Sequence, residues 1–261
     1  MRSLALALCL AAAAPALANP EEPREIPIVV PTPIPVGFLF AWKPTLLSVR
    51  VDSGAGSEFG SDKVQLLRGL ARWTTTLFDE QLMARAEIEG GQFESDTQGT
   101  RVGSNGVDLT ARLLGGTATR ISPGFTITAS AGPITRYQWG TQALSGAPRV
   151  GIFGISSNIE LEYRLAPLLT ASAYFEGALA PFPYAAQRNL GDLSDASEMR
   201  FRLQLSLDIS PRAAVDVGYD FTRWHASFSA SSVLDPSRPA DQALLLEARE
   251  HAITFGVRWK P

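Results

Sequence analysis

From Met199 to Ile209 the chain reads MRFRLQLSLDI. One set of alternate positions is Met199, Phe201, Leu203, Leu205, Leu207 and Ile209; the other is Arg200, Arg202, Gln204, Ser206 and Asp208. Successive side chains of a strand point to opposite faces, so this segment is a strand with one apolar and one charged face. In NIELEYRL, Ile159, Leu161, Tyr163 and Leu165 oppose Asn158, Glu160, Glu162 and Arg164 in the same way. The chain ends HAITFGVRWKP, where Ile253, Phe255, Val257 and Trp259 alternate with Thr254, Gly256 and Arg258. Ten such runs are predicted, at roughly 38–53, 63–77, 81–95, 106–121, 125–140, 150–165, 168–183, 198–209, 213–229 and 243–259. Ordinary globular strands have a mode near five or six residues. Several of these runs reach the 9–11 or so that a tilted strand needs to cross a bilayer.

The connections alternate in length. FDE (78–80), SPG (122–124), AP (166–167) and SPR (210–212) are short. GAGSEFGSD (54–62), SDTQGTRVGSN (95–105), TQALSGAP (141–148), YAAQRNLGDLSDAS (184–197) and SASSVLDPSRPADQ (229–242) are long and polar. Residues 1–18 carry Arg2, a short apolar run and Ala16-Leu17-Ala18, the pattern of a cleaved signal peptide, with maturation expected at Asn19. Cys9 lies within that segment, so the mature chain has no cysteine chemistry. Residues 19–36 hold six prolines, which excludes a helix or central strand and predicts an extended tether. The net charge of −3 gives no basic footprint for nucleic acid.

Taken together, the signal peptide, the short–long loop rhythm and the terminal strand ITFGVRW resemble the outer-membrane β-barrel proteins of Gram-negative bacteria, across almost the whole mature chain. No particular family within that class is matched. The resemblance implies an all-β fold: a single up-and-down antiparallel transmembrane β-barrel of about ten strands over 37–261, with short periplasmic turns, longer extracellular loops and both termini periplasmic. It implies outer-membrane lipid and the barrel-insertion machinery as partners. Phe255, Val257 and Trp259 then form the insertion signal, displaced from the chain end by Lys260 and Pro261. The competing folds are a secreted soluble β-sandwich and a periplasmic barrel, whose strands would be shorter and whose faces less sharply sorted.

In such a barrel the polar faces line the lumen. Arg68, Arg72, Arg85, Glu87, Glu89, Asp108, Arg112, Glu160, Glu162, Arg164, Glu176, Arg200, Arg202, Asp208, Asp216, Asp220 and Arg258 are the expected lumen charges. About eight strands leave an interior that side chains nearly fill. Ten leave little more, so the charges are expected to pair across it. A general diffusion porin, with about 16 strands, is excluded. Tyr137, Trp139, Tyr163, Tyr219, Trp224 and Trp259, near strand ends, are expected to form the aromatic girdles at the two interfaces.

Catalytic patterns are sparse. His225 and Ser227 share a strand face, and Glu247 or Glu250 could supply an acid, as in outer-membrane lipid A deacylases, but the spacing differs from that family's. Asp216 and Asp220 with His225 invite comparison with omptin proteases, without a matching motif. No catalytic, cofactor or metal site is expected. The leading expectation is a non-enzymatic barrel anchoring a larger envelope assembly, such as a motility, secretion or polysaccharide-export machine, with residues 20–35 docking partners. A narrow channel for ions or small polar solutes and a surface lipid or peptide hydrolase using His225 are the alternatives.

Overall fold

The computed structural model describes residues 36–53, 56–65, 67–77, 82–97, 100–140, 150–186, 193–228 and 244–260. The expected signal peptide (1–18) and all but the last residue of the proline segment (19–36) lie outside them. Twelve strand segments are described: β1 (Gly37–Trp42), β2 (Thr45–Ser53), β3 (Gly56–Gln65), β4 (Arg68–Leu77), β5 (Leu82–Thr97), β6 (Thr100–Ser122), β7 (Phe125–Gly140), β8 (Val150–Ala166), β9 (Leu169–Ala186), β10 (Leu193–Ser210), β11 (Ala213–Phe228) and β12 (Leu244–Trp259). They form ten staves. β1 and β2 run end to end along β12, with Phe38–Trp42 opposite Phe255–Trp259 and Thr45–Asp52 opposite Ala252–Leu245. β3 and β4 make the second stave in the same way, paired to β2 and β1. The first stave breaks at Lys43-Pro44 because proline cannot donate to a ladder. There Lys43 N–H still reaches the carbonyl of Arg68 at 2.8 Å.

Every neighbouring pair is antiparallel, and the β1–β12 pairing closes the wall. Closure removes the sheet edges that an open sheet would expose. The tight connections tie β6 to β7, β8 to β9 and β10 to β11. Gly124 supplies the first of these with a φ of +99° that side chains rarely adopt. Both described chain ends lie at this short-turn end, where Phe38 pairs with Trp259 and Trp259 with Ala213.

The wall is inside-out relative to a soluble protein. Leu203, Leu205, Leu207, Ile253, Phe255 and Val257 all face outward and exposed, while Arg200, Arg202, Asp216, Asp220 and Thr254 face inward and buried. An apolar belt of this extent belongs in lipid. Trp73, Phe38 and Trp259 form an outward aromatic row at the short-turn end through the pairings Trp73–Phe38–Trp259, and Trp42 stacks on Phe255 at 5.8 Å between centroids.

Two expectations need correction. Residues 56–62, expected within a loop, are strand instead: Gly56–Gln65 is β3, paired with β2. Likewise pairing continues through 95–105 as far as Thr97–Thr100, and strands cover much of 184–197. These stretches are rich in Gly, Ser, Asp and Thr, a composition that says loop when no face has to be apolar. The second concerns Trp224, which points into the lumen and is fully buried, so it belongs to no girdle. Tyr163, Tyr219 and Trp259 are exposed on the outside, Tyr137 is half-buried, and the side chain of Trp139 lies outside the described ones.

Candidate functional site: the filled lumen

Strand parity sends the polar side chains inward, and cross-wall reach decides which of them meet. Staves five apart stand opposite each other. Arg200 on the eighth stave spans that full width: its guanidinium donates to Asp220 on neighbouring β11 at 2.9 Å, and to Glu87 at 2.8 Å and Glu89 at 2.7 Å on β5, the third stave. Its side chain is 0% exposed. Arg136 on the fifth stave reaches Glu250 on the tenth, as well as Glu198 at 3.0 Å and Asp108 at 3.2 Å. Arg112 donates to Glu176 at 2.9 Å and Glu198 at 2.5 Å. Arg68 joins Glu89, Asp108 and Glu250 at 2.6, 2.7 and 2.9 Å.

Around this centre, Lys43 binds Glu89 and Asp220 at 2.7 and 3.0 Å. Arg202 binds Asp220 at 3.0 Å and lies 5.4 Å from the centre of the Tyr174 ring. Arg72 bonds Glu87 and Arg85 bonds Glu160, at 2.8 and 2.7 Å. All of these groups are buried. Each charge has at least one partner of opposite sign within hydrogen-bond range, the condition under which desolvating it is tolerable.

The two ends differ. Toward the long-loop end the inward faces turn apolar, and Leu47, Val49, Val150, Ile152, Ala196, Trp224, Ala226, Phe228, Leu246 and Ala248 form one buried cluster. The Arg136 guanidinium sits 4.8 Å from the centre of the Trp224 ring, joining cap to network. Toward the short-turn end the network opens. Arg258, part-exposed, bonds the buried Asp216 at 3.1 Å, and Lys260 bonds Asp208 at 2.6 Å with both side chains part-exposed. Glu162 and Arg164 lie at that mouth, where Arg164 donates to the carbonyl of Pro167.

All seventeen expected lumen charges therefore fall on the inward parity: thirteen are buried, and Glu162, Arg164, Asp208 and Arg258 are part-exposed or exposed at the short-turn mouth. Lys43, Arg136, Glu198 and Glu250 are members that sequence reading missed. Three of them were readable, since Arg136, Glu198 and Glu250 share parity with Ser130, Arg200 and Arg258. Lys43 follows an apolar run and carried no such signal. Phe255 and Val257 face outward beside β1, with Trp259 in the aromatic row.

The candidate catalytic residues are dispersed. His225 and Ser227 both face outward, and the hydroxyl bonded to the His225 ring is Ser197 of β10, at 3.2 Å from Nδ1. Glu247 stands opposite His225 in register, but its carboxylate bonds Arg223 and Arg249. Glu250 is on the other side of the wall, within the lumen network. Asp216 and Asp220 are inward and buried, separated from His225 by the wall.

Among solved structures, the outer-membrane protease OmpT from Escherichia coli matches 90% of this chain and 99% of its own, with 11% identity and a TM-score of 0.50. The fold is that of an outer-membrane β-barrel. The translocator domain of the autotransporter NalP from Neisseria meningitidis is similar over 86% of this chain and 88% of its own, at 10% identity and a TM-score of 0.45. The Pseudomonas putida toluene transporter TodX is similar over 88% and 91%, at 8% identity and a TM-score of 0.37. No family model matches the sequence, and no curated protein matches it either. A fold does not by itself fix a function, which resides in the lumen and the outer surface.

Proposed function

We propose that this chain is a closed, non-enzymatic barrel of the outer membrane that serves as the anchor of an envelope assembly, with its short turns and both termini in the periplasm. The observation that carries this reading is the bridging of the lumen by Arg200 and Arg136, each bonded to acids on the opposite wall. A passage would have to break several buried charge-assisted bonds at once. The buried apolar cluster at the long-loop end adds a second obstruction.

Ten staves stapled from within make a rigid support, and rigidity suits an anchor better than a gated pore. Deleting residues 20–35 is expected to release periplasmic partners while the barrel still folds. Unchanged co-purification of those partners after the deletion would remove the tether from the account.

One observation favours a second reading, a hydrolase acting at the outer surface: the Ser197–His225 bond. A serine nucleophile needs a base and an orienting acid, and Glu247 is held by two arginines. Ser197→Ala and His225→Ala should leave lipid profiles and peptide cleavage unchanged. Loss of a hydrolytic activity in both variants would promote this reading over the anchor.

A further inference from the structure

Among the described residues, the apolar outer surface gives way to charge on four neighbouring strands, β10, β11, β12 and β2. Along β12 the outward residues run Trp259, Val257, Phe255 and Ile253, then His251, Arg249 and Glu247. On β11 Arg223 stands directly opposite Arg249. Ten residues separate Trp259 from Arg249, about 25 Å along the membrane normal at about 3.4 Å per residue and a tilt near 40°. The apolar band of such barrels is also about 25 Å tall. The two arginines therefore lie at its edge, at the level of lipid headgroups.

Their charges are incompletely balanced. Glu247 is shared by both, accepting from Arg249 Nε at 2.6 Å and from Arg223 Nη2 at 3.3 Å. One carboxylate between two guanidiniums leaves one positive charge among these three groups. The arginine side chains remain 48% and 56% exposed, against 18% for the glutamate. Arg50 faces outward opposite Glu247, and Asp52 and Asp195 lie one row beyond, further from the apolar band. Two like charges directly across a strand pair repel, and an anion between them turns that repulsion into attraction. The surrounding side chains are fixed: His251 is bonded to Tyr219 at 2.7 Å and its ring lies 4.9 Å from that of Phe221.

We propose that Arg223 and Arg249 form a lateral site for the phosphate headgroup of a lipid in the leaflet at the long-loop end. A guanidinium presents five donors in a planar fork suited to phosphate oxygens. The lipid's acyl chains lie against the apolar face below, where Met199, Phe201 and Leu203 of β10 flank the pair. The site depends only on the barrel being in a membrane and is independent of the anchor reading.

The test is native mass spectrometry of the full mature chain refolded in phosphatidylcholine vesicles doped with phosphatidic acid. Retention of phosphatidic acid about tenfold above phosphatidylcholine is expected. R223Q/R249Q should lose that preference, and Arg164→Gln, at the other end, should keep it. Glu247→Gln releases both guanidiniums and should raise retention, a gain that misfolding cannot mimic. Equal retention of the two lipids by the wild type, or an unchanged preference in R223Q/R249Q, would overturn the site. Displacement of the bound lipid by inorganic phosphate alone would overturn its assignment to a lipid headgroup.

Discussion

Arg200 and Arg249 are the same side chain on β10 and β12, one facing the lumen and the other the bilayer. The first is fully buried and bonds acids on two different strands. The second is more than half exposed and shares a single glutamate with Arg223. Burial separates them energetically. A buried charge is costly unless paired, so losing its partners is costly too. An exposed pair contributes little by itself and is screened by salt. The inner arginines therefore act as structural braces, whereas the outer ones remain available to a ligand.

That contrast gives three graded expectations, each measured by urea titration of the barrel refolded into vesicles. Arg200→Met leaves Glu87, Glu89 and Asp220 short of a partner and should cost about 4 kcal/mol, in the range for breaking a buried ion pair. A cost near that of a surface change would mean that water reaches the network. Trp224→Ala opens a cavity in the apolar cap and removes the ring beneath Arg136, at about 3 kcal/mol. Glu247→Gln removes the outer carboxylate and should cost no more than about 1 kcal/mol, an effect that shrinks further as salt rises. If Glu247→Gln cost as much as Arg200→Met, the distinction between brace and open site would collapse.

The sequence made the wall legible and left the lumen's partners hidden. Alternation in 198–209 and 253–259 states which face each side chain takes, because the strand period is fixed at two. It does not state that Arg200 meets Glu87, since that contact depends on shear and on which stave stands opposite. Trp224 was misread because its nearness to a strand end outweighed its parity with Asp216, Asp220 and Thr222. β3 was misread because its sequence, GSEFGSDKVQ, resembles a loop in composition. Glu250 illustrates the same limit: further along the chain from His225 and Ser227 it suggested a catalytic acid, yet it faces the lumen while His225 faces outward, and it binds Arg68 and Arg136 instead.

The closed lumen is the centre of the account, and single-channel recording of the refolded barrel in a planar bilayer tests it most directly. With and without residues 19–36, no open steps are expected, because Arg200 and Arg136 span the interior whether or not the proline segment is present. Steady open steps in either form would contradict that account and make the barrel a channel.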